Sequence, residues 1–88
     1  MLARTSVTVT FRGELDFSCS EAVATRLSAA GPLVIVDLSG LDFMDCATLG
    51  IMVAARKAAR EQGGDLVLSS PHGAVRRLLT VLKFPFRE

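Results

Sequence analysis

Tryptophan and tyrosine are absent from these 88 residues, and the chain has one histidine and two cysteines. Cys19 and Cys46 form no C-x-x-C pair, and a single histidine is too few for a zinc cluster, so we expect no metal site and no cofactor. The longest apolar runs fall far short of the roughly 20 residues that span a bilayer, so membrane insertion is not expected. Sparse, separated cysteines and no recognisable signal peptide favour a reducing compartment, the cytoplasm.

The charges of the whole chain nearly cancel, with ten lysines and arginines against nine acidic residues. Binding of nucleic acid through the net charge of the whole chain is therefore not expected. The charges are segregated, however, because residues 1–48 carry three basic and six acidic side chains while residues 49–88 carry seven and three. Two interpretations stay open: an ordinary solvated surface, or an acidic face that meets a basic partner.

Length and apolar patterning predict one domain, 1–88, built on strands. Val7, Val9 and Phe11 alternate with threonines, which is the period of a half-buried strand. Leu33–Val36 is a continuous apolar run, typical of a central strand in a covered parallel sheet. A third strand is predicted at Leu66–Leu68.

Three helices are predicted between and after these strands, each with its own start signal. A capping box at 18–21 begins a helix over about 19–29, Asp45 is the N-cap of a long second helix, and a Ser-Pro pair at 70–71 begins the third. Residues 38–45, which contain Ser-Gly and several acids, are predicted to form a loop.

The order β-α-β-α-β-α predicts a small, mostly parallel sheet with helices packed on it. Functional sites in such sheets collect outside the carboxyl ends of the strands, here residues 12–17, 37–46 and 69–72. The second of these segments leads into a helix N-terminus, whose free N–H groups suit an anion or a phosphorylated residue.

The stretch that begins at Val34, VIVDLSGLDFMDCATLGIMVAARKAAREQGGDLVLSS, resembles the STAS domain of anti-sigma factor antagonists and sulfate-transporter tails. The segment Arg12–Asp16 (RGELD) and the segment HGAVRRLL resemble further parts of that family's pattern. The resemblance covers roughly residues 6–83 and implies a STAS-like α/β fold trimmed at both ends. Fewer strands and helices leave apolar surface uncovered, which favours a homodimer or dependence on a partner.

The resemblance also implies a non-catalytic partner-switching module. Unphosphorylated members bind an anti-sigma serine kinase of the histidine-kinase-like ATPase fold, and phosphorylation at the helix start adds charge to the contact surface. The matching phosphoacceptor position here is Ala47, so we expect a constitutive binder. Thr48 as a displaced acceptor, or regulation elsewhere, stays open.

The residues expected to contact the partner surround the start of the second helix. They are Asp16, Ser39, Asp42, Phe43, Met44, Asp45, Cys46, Ala47, Thr48, Leu49 and Gly50.

Other functions remain as alternatives. The domain could be the STAS subunit of an ABC-type lipid-transport complex and bind its ATPase subunit. It could also be a thiol redox sensor, because Cys46 lies where a helix N-terminus stabilises a thiolate. A Cys46/His72 nucleophile pair has no third group to orient it, so we expect no enzyme.

Overall fold

The computed structural model describes residues 5–88, which form three strands and three helices in alternation. The elements are β1 (Val7–Leu15), a 3₁₀ turn (Phe17–Cys19), α1 (Ser20–Ala29), β2 (Leu33–Met44), α2 (Cys46–Glu61), β3 (Asp65–Ser69) and α3 (Gly73–Val81). The strands are parallel and lie in the order β1-β2-β3. The predicted α/β fold with a small parallel sheet is confirmed.

The core lies on one face of this sheet. Val34 and Val36 of β2 are buried, whereas Leu33 and Ile35, which point to the opposite face, are half-buried. Because the strand order follows the chain order, right-handed crossovers place successive helices on the same face. The buried residues of strands and helices accordingly form a single apolar cluster.

β2 is 12 residues long and takes in most of residues 38–45, so the predicted loop is wrong. Its pairing with β1 slips twice, between Thr10 and Arg12 and between Gly13 and Glu14, which leaves extra residues on β2 at both points. A bulged strand loses the period of two by which strands are recognised. The inward-facing residues of this half are spaced by three: Leu38, Leu41 and Met44.

The predicted capping box at the first helix is also wrong. A 3₁₀ turn comes first, and α1 begins at Ser20. Ser18 does not cap a helix; its N–H and its hydroxyl both donate to the carboxylate of Asp16. An ionised carboxylate is the stronger acceptor, so Asp16 takes the capping role in place of the serine.

The third helix begins later than the Ser-Pro pair predicts. α3 starts at Gly73 with His72 as its N-cap, and Ser70 has a left-handed φ of 58°. The N–H of Ser70 donates to the carbonyl of Arg87 at 2.7 Å, and the N–H of Arg87 donates to the carbonyl of Leu68 at 2.8 Å. The chain after α3 therefore returns to the free edge of β3 and holds residue 70 outside the helix.

Gly64, just before β3, lies where the backbone leaves no room for a side chain. A Cβ at residue 64 would lie 1.8 Å from the carbonyl oxygen of Pro32, whereas a Cβ at Gly50 meets open space. We expect Gly64→Ala to lower the free energy of unfolding by about 1–3 kcal/mol. Gly50→Ala, inside α2, should raise it by about 0.5–1 kcal/mol. Urea unfolding followed by circular dichroism measures both, and a Gly64→Ala variant as stable as wild type would contradict the described packing.

Candidate functional site

The carboxyl ends of the three strands meet at one end of the sheet, here called the carboxyl edge: residues 14–18, 42–50 and 70–72. The N–H of Asp45 donates to the carbonyl of Leu15 at 3.2 Å, which joins the first two segments. His72 Nε2 lies 3.7 Å from Asp42 Oδ1, which brings the third segment to the second. The structure therefore brings together parts of the three predicted segments, while residues 12–13 and 37–41 lie further back within β1 and β2.

Asp45 holds two of these segments together through its side chain. Its Oδ1 accepts the N–H of Thr48 at 2.8 Å, and its Oδ2 accepts the N–H of Phe17 at 3.0 Å. The first bond makes Asp45 the N-cap of α2, as predicted. The pKa of Asp45 lies below its ordinary value, chiefly because the Thr48 N–H stabilises the carboxylate, with the Phe17 N–H adding to the effect.

The side chains in the first turn of α2 differ sharply in their exposure to solvent. Cys46 and Ala47 are exposed, whereas Thr48, the third residue of the helix, is fully buried. The Thr48 Oγ1 lies near the Asp45 carboxylate but makes no well-formed hydrogen bond to any described residue. The thiol of Cys46 and the methyl group of Ala47 are therefore accessible in this turn, and the adjacent Thr48 hydroxyl is enclosed.

The predicted contact residues divide into an exposed and an interior group. Met44, Thr48 and Leu49 are buried, because the bulged β2 and the helical period turn them inward, so they support the edge and offer no side chain to a partner. Asp45 is half-buried. Ser39 lies in the middle of β2 and outside the carboxyl edge. The exposed candidates are Asp16, Ser39, Asp42, Phe43, Cys46, Ala47 and Gly50.

Sequence reasoning placed Phe17 and Glu14 in a functional segment, residues 12–17, but did not name either as a contact residue. Phe17 is 72% exposed and follows directly after the capping residue Asp16. Glu14 is the register partner of Phe43, and both side chains are exposed. An aromatic residue directly after a capping aspartate was the available signal, but the predicted capping box at residue 18 assigned this turn differently.

The remaining acidic and thiol groups are dispersed. The Ser39 N–H lowers the pKa of Asp37, with the Arg12 guanidinium contributing. Within residues 5–88, no three His, Cys, Asp or Glu side chains are grouped so that they could hold a metal ion. Both cysteines are free, with Cys46 exposed and Cys19 half-buried. No helix of the described part is long and apolar enough to cross a bilayer.

Residues 3–87 match the family model of the STAS domain. The chain belongs to the STAS domain family. A related protein of Lysinibacillus sphaericus, the anti-sigma F factor antagonist, is 29% identical over 83 residues, which cover 89% of this chain and 71% of that protein. The STAS fold is shared with solved structures of lower identity, which show the fold alone.

Two of these structures illustrate the likeness. A Thermotoga maritima protein described as an anti-sigma factor antagonist superposes with a TM-score of 0.82 at 20% identity, over 93% of this chain and 77% of that one. The antagonist SpoIIAA in its unphosphorylated form superposes with a TM-score of 0.76 at 22% identity, over 100% of this chain and 83% of that one.

The Asp45 bonds predict a specific dependence of stability on pH. The pKa of the Asp45 carboxyl is lower in the folded protein than in the unfolded chain. Its contribution to the free energy of unfolding is therefore complete above the pKa of the unfolded chain and is lost as pH falls through the pKa of the folded protein. Asp45→Ala should lower the unfolding temperature at neutral pH, and the difference from wild type should shrink at acid pH. Asp45→Asn keeps one acceptor oxygen and should be milder.

Thermal unfolding of wild type and both variants from neutral to strongly acid pH measures this dependence. Glu14→Gln is the matched control, since the Glu14 carboxyl is exposed and caps no helix. If the unfolding temperatures of wild type and Asp45→Ala differ by the same amount at all pH values, that result would contradict a role for the ionised carboxylate.

Proposed function

We propose that this STAS domain is an anti-sigma factor antagonist that binds an anti-sigma serine kinase through its carboxyl edge, without catalysing a reaction. The family and the antagonist from Lysinibacillus sphaericus support the class of partner. The edge itself supports the mode of binding, because it combines exposed acidic and aromatic side chains on a backbone fixed by Asp45.

The observation that carries the proposal is the exposed methyl group of Ala47 beside an enclosed Thr48 hydroxyl. A phosphate at residue 47 would add about −1.5 to −2 units of charge. It would stand close to Asp45 and on the same edge as Asp16 and Asp42. With alanine at residue 47 the edge keeps the charge of an unphosphorylated domain, so binding is constitutive and regulation acts through the partner.

A catalytic role for the edge finds less support than a binding role. A thiol nucleophile at Cys46 needs a base within hydrogen-bond reach, and among the described residues Cys46 makes no hydrogen bond to His72. Asp42, whose Oδ1 lies 3.7 Å from His72 Nε2, is a third group that the sequence did not reveal. The polar groups of the edge serve to cap and tie backbone, as Asp16 and Asp45 do. These bonds fix the surface, which supports a binding role over a catalytic one.

Ala47→Asp places a negative charge at the centre of the proposed contact. An acidic residue in the first turn suits the helix dipole, so the fold should persist. We expect the affinity for the anti-sigma kinase of the source organism to fall at least tenfold in isothermal titration calorimetry, since the added charge must be desolvated at the centre of the contact. Ala47→Asn, of equal size and neutral, should bind much more tightly than Ala47→Asp. Equal affinities for the two variants would contradict a charge-sensitive contact.

Ala47→Ser restores an accessible hydroxyl at the same place. Incubated with the kinase and ATP, this variant should gain a phosphate on residue 47, whereas the wild type should gain none, as read by peptide mass spectrometry. Phosphate on Thr48 of the wild type would contradict the constitutive state. Affinity capture of an ABC-type ATPase subunit in place of the kinase would move the domain to a transport complex.

A further inference from the structure

The five phenylalanines of the chain fall into two groups. Three of them lie under an arginine: Arg26 stands 4.7 Å from the ring centre of Phe11, Arg56 stands 5.6 Å from that of Phe84, and Arg76 stands 5.1 Å from that of Phe86. Cation–π contacts of this kind therefore recur in the domain.

Phe17 and Phe43 form the other group. No arginine of the described residues lies over either ring, and the two side chains are 72% and 45% exposed. Both belong to the carboxyl edge: the Phe17 N–H donates to Asp45, and Phe43 precedes Asp45 by two residues. The two open aromatic faces of the chain therefore lie at the same end of the sheet.

The surroundings of these rings are acidic. Asp16 precedes Phe17, Glu14 is the register partner of Phe43, and Asp42 is exposed beside it. Carboxylates next to an aromatic face attract a guanidinium group twice, through the ring and through bidentate hydrogen bonds. The combination fits arginine better than lysine, because a planar guanidinium stacks and pairs at once.

The backbone around Phe17 is fixed before any partner arrives. Asp16 accepts the N–H of Ser18 at 2.9 Å through its side chain and the N–H of Cys19 at 2.9 Å through its carbonyl. The Phe17 N–H is held by Asp45 at 3.0 Å. An exposed ring on an ordered turn loses little entropy on binding, which is the property of an anchor residue.

We propose that Phe17 and Phe43 anchor the partner, and that the partner's contact surface presents arginine side chains that stack on these rings and pair with Asp16, Asp42 or Glu14. This inference rests on the proposed function and deepens it, since it assigns the chemistry of the partner surface. It also makes Phe17 a determinant of which kinase is bound.

The test is the dissociation constant of the source organism's recombinant anti-sigma kinase, measured by titration calorimetry. Phe17→Ala should weaken binding by tenfold or more. Phe17→Leu, which keeps apolar volume but loses the aromatic face, should fall between Phe17→Ala and wild type, and Phe17→Trp should bind at least as well as wild type. Val81→Ala is the matched control, because Val81 is 71% exposed at the far end of α3.

The outcomes separate the inference from the function on which it rests. Unchanged unfolding temperatures with the predicted ranking support an aromatic anchor. Tight binding by Phe17→Ala, or equal binding by Phe17→Leu and Phe17→Trp, would overturn the anchor while leaving the antagonist function intact. A wild-type chain with no affinity for the kinase would overturn both.

Discussion

The arrangement of the carboxyl edge depends on one carboxylate. Asp45 caps α2 with one oxygen and holds the turn after β1 with the other, while its own N–H bonds to the end of β1. The bond to Phe17 joins residues that lie 28 apart in the chain. The first turn of α2 and the exposed Phe17 consequently form one surface, and the hydrogen bonds that join them lower the pKa of Asp45 below its ordinary value.

Much of the fold could be predicted because its signals are local. Alternating valines and threonines marked β1, and a carboxylate before an apolar helix marked the start of α2. The failures have a common physical origin: long-range pairing overrides the local signal. Bulges against β1 make a strand of the apparent loop at 38–45, and the returning tail at Arg87 holds Ser70 out of α3. Neither partner is visible in the local sequence.

The candidate site was predictable in position but not in detail. The family pattern located Ala47 and Thr48, and the structure shows that Ala47 is exposed while Thr48 is buried. The sequence could not show that Met44 lies in the core, because its burial follows from the bulged register of β2. Phe17 lies in the predicted segment 12–17 but was not named as a contact residue, since its bond to Asp45 and its exposure are not properties of the local sequence.

The proposed function is that of a binder that its kinase does not release by phosphorylation at residue 47, because a methyl group stands there on an edge fixed by Asp45. The most direct test is the lifetime of the complex between this domain and its anti-sigma kinase, followed by surface plasmon resonance with and without Mg-ATP. The account predicts that the wild-type complex dissociates at the same rate in both conditions and that the recovered domain carries no phosphate. Dissociation accelerated by ATP, with phosphate on the recovered domain, would contradict it.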